Sequence, residues 1–213
     1  MHQSVRVEMK DQIAMTKLDD AARIERENMI VEQYSGIYPP YEAFYIHSII
    51  YAADRSKNAF RRFDDAIASQ AEPALVVSTV QEALAHAGAL SRFFWPVRKR
   101  QLVAARGHRL REAFKVDDES ALKSRQLRNV FEHFDEYLDC FLLNDSVGYF
   151  FPAPMVDNQA LADEAIGHIF KLVDPENEIC VLLGQKFEFR PVRNEVERIL
   201  TIAQAMDNRG CRL

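Results

Sequence analysis

Apolar residues recur at intervals of three and four along most of the first 145 positions, the spacing of one helix face. The first such run, from Val5 to Tyr34, carries Met9, Ile13, Leu18, Ala21 or Ala22, and Ile24, and Ser35-Gly36 with Pro39-Pro40 ends it. A long second helix follows through Tyr41, Tyr45, Ile49, Ala52, Ala53, Phe60, Phe63 and Ile67. The third carries Val76, Val80, Leu84, Ala87, Leu90 and Phe94 and stops at Trp95-Pro96, because the proline ring cannot continue the helical bonding. A shorter, basic fourth helix spans about Val97 to Phe114, and Asp117-Asp118-Glu119-Ser120 supplies caps for a fifth from Ala121 to Leu143. Five helices with short connections predict a mainly α fold, an antiparallel bundle over residues 1–145.

The period changes after Asn144-Asp145. Pro152 and Pro154 mark a loop, and Leu161 to His168 reads as a short helix. Ile169 to Val173 and Glu178 to Leu183 then flank Asp174-Pro175-Glu176-Asn177, a turn sequence between two strand-like runs. Lys186 to Arg190 alternates as a third strand, and Pro191 to Met206 reads as a helix with proline in its first turn. Residues 146–213 are thus expected to form a small α+β segment, a three-stranded meander plus helix, packed on the bundle.

The fifth helix is two-faced. At about 100° per residue, Leu127, Val130, Phe131, Phe134, Leu138, Phe141 and Leu142 share one arc, and Arg125, Arg128, Asn129, Glu132, His133, Asp135, Glu136 and Asp139 share the other. Packing explains the first arc. The second is accounted for by solvation, with an Arg128–Glu132 pair contributing a few tenths of a kcal/mol. Yet histidine can exchange a proton near neutrality, and an arginine one turn away can hold a phosphate through two hydrogen bonds. Those groups meet the needs of metal-free RNA cleavage, in which a ribose 2′-hydroxyl attacks the adjacent phosphorus and the leaving 5′-oxygen is protonated.

The string Arg128-Asn129-Val130-Phe131-Glu132-His133 resembles the Arg-polar-x-x-x-His signature of HEPN domains, small helical bundles that carry this motif on a late helix. The resemblance implies a homodimer in which two motifs form one composite site, and a metal-independent endoribonuclease of toxin or defence type leaving 2′,3′-cyclic phosphate ends. His133 would then transfer protons, Arg128 would hold phosphate, Asn129 would orient the site and Glu132 would support it. Other members of the family bind nucleotides or lack demonstrated catalysis. A non-catalytic binding or dimerisation protein, with a nucleotide or cognate antitoxin as partner, is therefore the alternative expectation. The carboxylates of Glu132, Asp135, Glu136 and Asp139 on the same face favour it, since they repel a phosphate.

Composition narrows these expectations. With 48% hydrophobic residues the 213-residue chain can bury a core, and a net charge of −5 gives no global signal for polyanion binding. The local exception is Arg98, Lys99, Arg100, Arg106, Arg109 and Arg111, with His108, a stretch free of acids that could meet RNA phosphates or offset the acids of the next helix. Cys140, Cys180 and Cys211 are few, odd in number and far apart, which suggests a reducing cytoplasm and neither a disulfide framework nor a zinc site. No apolar stretch has the form of a secretory signal or reaches the roughly 20 residues of a membrane span, so no membrane association is expected. His47, His86, His108 and His168 have no companion at ligand or triad spacing and read as packed or hydrogen-bonded, and Phe93-Phe94-Trp95 reads as core before a proline turn. Neither a Gly-x-Gly-x-x-Gly nor a Walker loop is present, so no cofactor and no metal are expected.

Overall fold

The computed structural model describes residues 19–97, 100–124, 129–130, 133–144, 148–164 and 167–213. Its helices are α1 (Asp20–Tyr34), α2 (Glu42–Ala68), α3 (Pro73–Phe94), α4 (Gln101–Phe114), α5 (Phe134–Asn144) and α6 (Arg190–Asp207). The strands are β1 (Tyr149–Phe151), β2 (Met155–Val156), β3 (Gly167–Ile169), β4 (Lys171–Asp174), β5 (Ile179–Leu182) and β6 (Gln185–Glu188). The chain is mainly helical with a small C-terminal sheet.

Helix α2 is the centre of the molecule. Its apolar seam, Ile46, Ile49, Ala53, Phe60 and Phe63, is buried between α3 and α6. Pairs at opposite ends make α6 antiparallel to α2, with Arg193 meeting Asp64 and Asp207 meeting His47, and Arg62 meets Glu82 in the middle of α3. Ser56, buried mid-helix, gives its hydroxyl to the Ala83 carbonyl at 2.8 Å, so this polar group costs no unpaired donor. Phe189, just before α6, stacks on Phe60 at 5.8 Å and meets Phe63 edge-on at 5.5 Å. The C-terminal helix therefore shares the helical core.

Glycines let α4 approach. A Cβ on Gly36, whose φ is +93°, would lie 2.3 Å from the Arg106 backbone nitrogen, and one on Gly107 would lie 2.9 Å from the Phe94 carbonyl oxygen. Only a missing side chain permits both crossings.

The expected hairpin is present. β4, β5 and β6 form an antiparallel meander, with Leu172 opposite Val181 and Cys180 opposite Phe187. Asp174 anchors the turn: its buried carboxylate accepts from the backbone N–H groups of Gln159, Glu176 and Asn177 and from the Asn177 amide. Two parallel pairings were not anticipated, β2 with β4 and β1 with β3. Among the described residues the expected helix from Leu161 to His168 is not formed: a 3-10 turn covers Gln159–Asp163, and His168 lies in β3 with its ring stacked 4.6 Å from Phe150.

Helix boundaries also differ from the sequence reading, α4 beginning at Gln101 after the extended Arg100 and not near Val97. Asp19 leaves the helical region and its carboxylate accepts from the Ala22 N–H at 2.7 Å, so α1 begins at Asp20; the expected apolar run from Val5 to Leu18 lies outside the described residues. Ile24, expected on the seam, is exposed. The expected fifth helix does not start at Ala121. Ser120 caps one 3-10 turn, Ala121–Lys123, after which Ser124 is extended. That turn is pinned because Leu122 is buried and the Ser91 hydroxyl donates to its carbonyl at 2.6 Å. Helix α5 starts later and has no fully buried residue. Its half-buried Phe134 packs edge-on against Phe170, beside the sheet, at 5.9 Å.

Candidate functional site

Arg128 and Glu132 lie outside the described residues; Asn129 and His133 lie within them. The His133 N–H donates to the Asn129 carbonyl at 2.9 Å and the Tyr137 N–H donates to the His133 carbonyl at 3.0 Å. One helical turn thus separates the two motif residues, as the spacing requires. With Glu136, Tyr137 and Cys140 they line a depression of about 230 Å³. The His133 side chain is 52% exposed and its Nδ1 lies 3.6 Å from Glu136 Oε1. A protonated His133 has its own carboxylate at hand, and Asp135 and Asp139 are exposed on the same helix.

Helix α4 turns much of its charge inward. Arg111 donates to the Phe94 carbonyl, closing the end of α3. Arg109 reaches the buried Glu42 at 3.9 Å, and Arg106 lies over the Tyr45 ring at 5.7 Å with its Nε buried and unpaired. Arg100 is exposed before α4, while Arg98 and Lys99 lie outside the described residues. His108 pairs with Glu112 on its own helix. Of the expected basic stretch, Arg106, Arg109 and Arg111 are thus engaged by α2 and α3.

The sequence reading missed an aromatic edge. Tyr149, Phe150 and Phe151 of β1 are exposed, as are Leu142 and Leu143 at the end of α5. Among the described residues β1 pairs with β3 alone, leaving its other edge open. Beside it, Leu138, Phe141, Leu142, Phe150, Pro152 and Phe170 line an apolar cavity of about 230 Å³. Three successive aromatic residues in a strand can be read from sequence, but their exposure cannot.

Histidines 47 and 86 both have polar partners, as expected, but differ in exposure. His86 faces Glu82 at 3.8 Å and is half-buried, whereas His47 is exposed and meets Asp207 and Cys211. Cys180 is inert by contrast, since full burial in the sheet pushes its thiol up to about 12. No helix among the described residues is long and apolar enough to cross a membrane.

Comparison with family models, with curated proteins and with solved structures finds no match to this chain.

Proposed function

We propose that this chain is a HEPN-like binding protein that acts as a homodimer and does not cleave RNA. The observation that carries this reading is the aromatic edge: Tyr149-Phe150-Phe151 offers strand hydrogen-bonding groups on a side that no described strand pairs, alongside exposed Leu142 and Leu143. Charge is one device that keeps an open edge from joining another strand, and Tyr149-Phe150-Phe151 carries none. A second copy is its natural occupant. About a two-fold axis β1 can pair antiparallel with itself, each copy covering the other's leucines and aromatic rings with the same patch. The surroundings of His133 support the same reading, because the Glu136 carboxylate stands 3.6 Å from its ring and three of the α4 arginines are engaged by Tyr45, Glu42 and Phe94.

Light scattering of the full chain tests it: wild type is expected as a dimer, and Phe150→Lys, which places a charge on the edge, should weaken association roughly a hundredfold or more. A wild type that stays monomeric at tens of micromolar would overturn the reading.

One observation favours endoribonuclease activity as a second reading, namely that Asn129 and His133 open into one depression with Tyr137. Incubation with RNA in EDTA separates the two. The binding reading expects intact RNA; 2′,3′-cyclic phosphate ends that disappear in a folded His133→Ala variant would establish the enzyme.

A further inference from the structure

Near the start of α2, three side chains of different chemistry point at one another. His47 stands on the exposed side of α2, whose neighbours Ile46 and Ile49 are buried. Asp207 closes α6, held in place by the buried Ala203 and Met206. The chain then reverses: Gly210 has φ +90° and Cys211 φ +57°, and the Cys211 N–H returns to the Met206 carbonyl at 3.0 Å. This turn carries Cys211 Sγ to 2.9 Å from Asp207 Oδ1 and 3.7 Å from His47 Nε2. His47 Nε2 is itself 3.5 Å from Asp207 Oδ1. One ligand-type atom from each residue thus lies within 4.8 Å of the other two.

A cysteine beside a histidine and an aspartate suggests a nucleophilic triad, and the geometry argues against it. A triad needs the carboxylate on the far ring nitrogen, where it orients the base. Here Asp207 faces the same nitrogen that faces the thiol. The thiol donates to Asp207, and that hydrogen bond holds its pKa above the ordinary value, the wrong direction for an attacking thiolate.

We propose that His47, Asp207 and Cys211 form a three-ligand site for a divalent transition metal, with zinc the best match and a fourth position open to solvent. In a tetrahedral zinc site with bonds of about 2.3 Å to sulfur and 2.0–2.1 Å to nitrogen and oxygen, the ligand atoms stand about 3.4–3.6 Å apart. Two of the three separations here, 3.7 and 3.5 Å, are already near that spacing. The third, 2.9 Å, is a thiol hydrogen bond that opens by about 0.6 Å when the proton leaves. Binding forms the metal–sulfur bond, breaks the S–H bond and delivers one proton to solvent, while His47 binds as the neutral ring and Asp207 as carboxylate. The mixed nitrogen, oxygen and sulfur set disfavours calcium and magnesium, which take oxygen ligands. His47 is 61% and Asp207 39% exposed, which leaves the fourth position accessible. His47 also borders a groove of about 550 Å³ with Phe44, Tyr51, His86 and Phe93. A ligand on the metal would therefore have an apolar wall beside it. The metal would tie the C-terminal turn to α2, adding stability through binding to the folded state alone.

Cobalt titration of the metal-free full chain tests the site. Wild type is expected to develop a thiolate-to-cobalt charge-transfer band and tetrahedral visible bands that zinc displaces, with one proton released per zinc. Cys211→Ser should abolish the charge-transfer band, Cys140→Ser should retain it, and His47→Gln should weaken affinity roughly a hundredfold. Thermal unfolding should shift upward with zinc in wild type and not in Cys211→Ser, whose metal-free melt serves as the folding control. No charge-transfer band in wild type, or one that survives Cys211→Ser, overturns the site. If Cys211→Ser does not fold, the wild-type band and the roughly hundredfold weaker cobalt affinity of His47→Gln decide the matter, and an unchanged affinity overturns the site.

Discussion

Replacing Asp174 with alanine tests the account of the C-terminal sheet. The carboxylate is 2% exposed and accepts four hydrogen bonds: Glu176 N–H at 3.1 Å, Asn177 N–H at 3.1 Å, Gln159 N–H at 3.0 Å and the Asn177 amide at 2.8 Å. A hydrogen bond to a charged acceptor contributes about 1.5–3 kcal/mol. The donors on Glu176 and Asn177 sit on exposed turn residues and regain water, so each retains only a fraction of that worth. Gln159 is half-buried, and leaving its N–H unpaired costs about 1–3 kcal/mol. Relief of the buried charge offsets part of the loss. The net expectation is a destabilisation of about 2–4 kcal/mol, with Asp174→Asn less costly because its amide oxygen keeps some of the contacts. Urea unfolding followed by circular dichroism should show the midpoint for Asp174→Ala falling by about 1 M or more. A fall below about 0.3 M would refute the argument that this carboxylate organises the turn. The pH dependence has a definite sign. Burial pushes the Asp174 pKa up, but the hydrogen bonds from Asn177, Gln159 and Glu176 outweigh it and hold the carboxyl below its ordinary value. Its stabilisation is therefore full above the unfolded value near pH 4 and is lost as pH falls through the lower folded value.

Gly36→Ala should destabilise by about 2–5 kcal/mol in the same assay, since the added Cβ meets the α4 backbone at a positive φ and neither side can yield cheaply. Arg198→Ala removes two hydrogen bonds to Glu195 and one to the Phe114 carbonyl; discounted for solvent exposure, it should cost about 1–2 kcal/mol at pH 7. The Arg198 hydrogen bond holds Glu195 below its ordinary value, so wild type should lose this advantage over the variant as pH falls below about 4. His133→Ala should leave the unfolding midpoint nearly unchanged, because the side chain is half exposed and its ion-pair partner among the described residues is surface Glu136.

The long helices were legible because their apolar spacing coincides with burial: Ile49, Ala53, Phe60 and Phe63 on α2, and Val76, Val80, Leu84 and Leu90 on α3, occupy the core. The meander was legible because Asp174 to Asn177 carries its own turn chemistry. What escaped depends on distant partners. Strand β2 is two residues long and exists through pairing with β4, and β1 through pairing with β3, so neither has a local period to read. The break at Ser124 follows from Ser91 holding the Leu122 carbonyl, a contact 31 positions away. The same limit hid His47, Asp207 and Cys211. Motif spacing finds ligands that are neighbours in sequence, and Cys211 is 164 positions from His47. Of the motif on the fifth helix, the one-turn relation of Asn129 and His133 was legible, and so was the solvated setting of His133 beside Glu136, which share the polar arc.

The central claim is that the aromatic edge of β1 joins two copies of this chain. Light scattering across a concentration series measures it directly: wild type should show twice the chain mass of 24.5 kDa, and Phe150→Lys should return to that single mass with its helical content unchanged. A wild type that stays at the single-chain mass up to tens of micromolar would contradict it, as would a Phe150→Lys variant that dimerises as tightly as wild type.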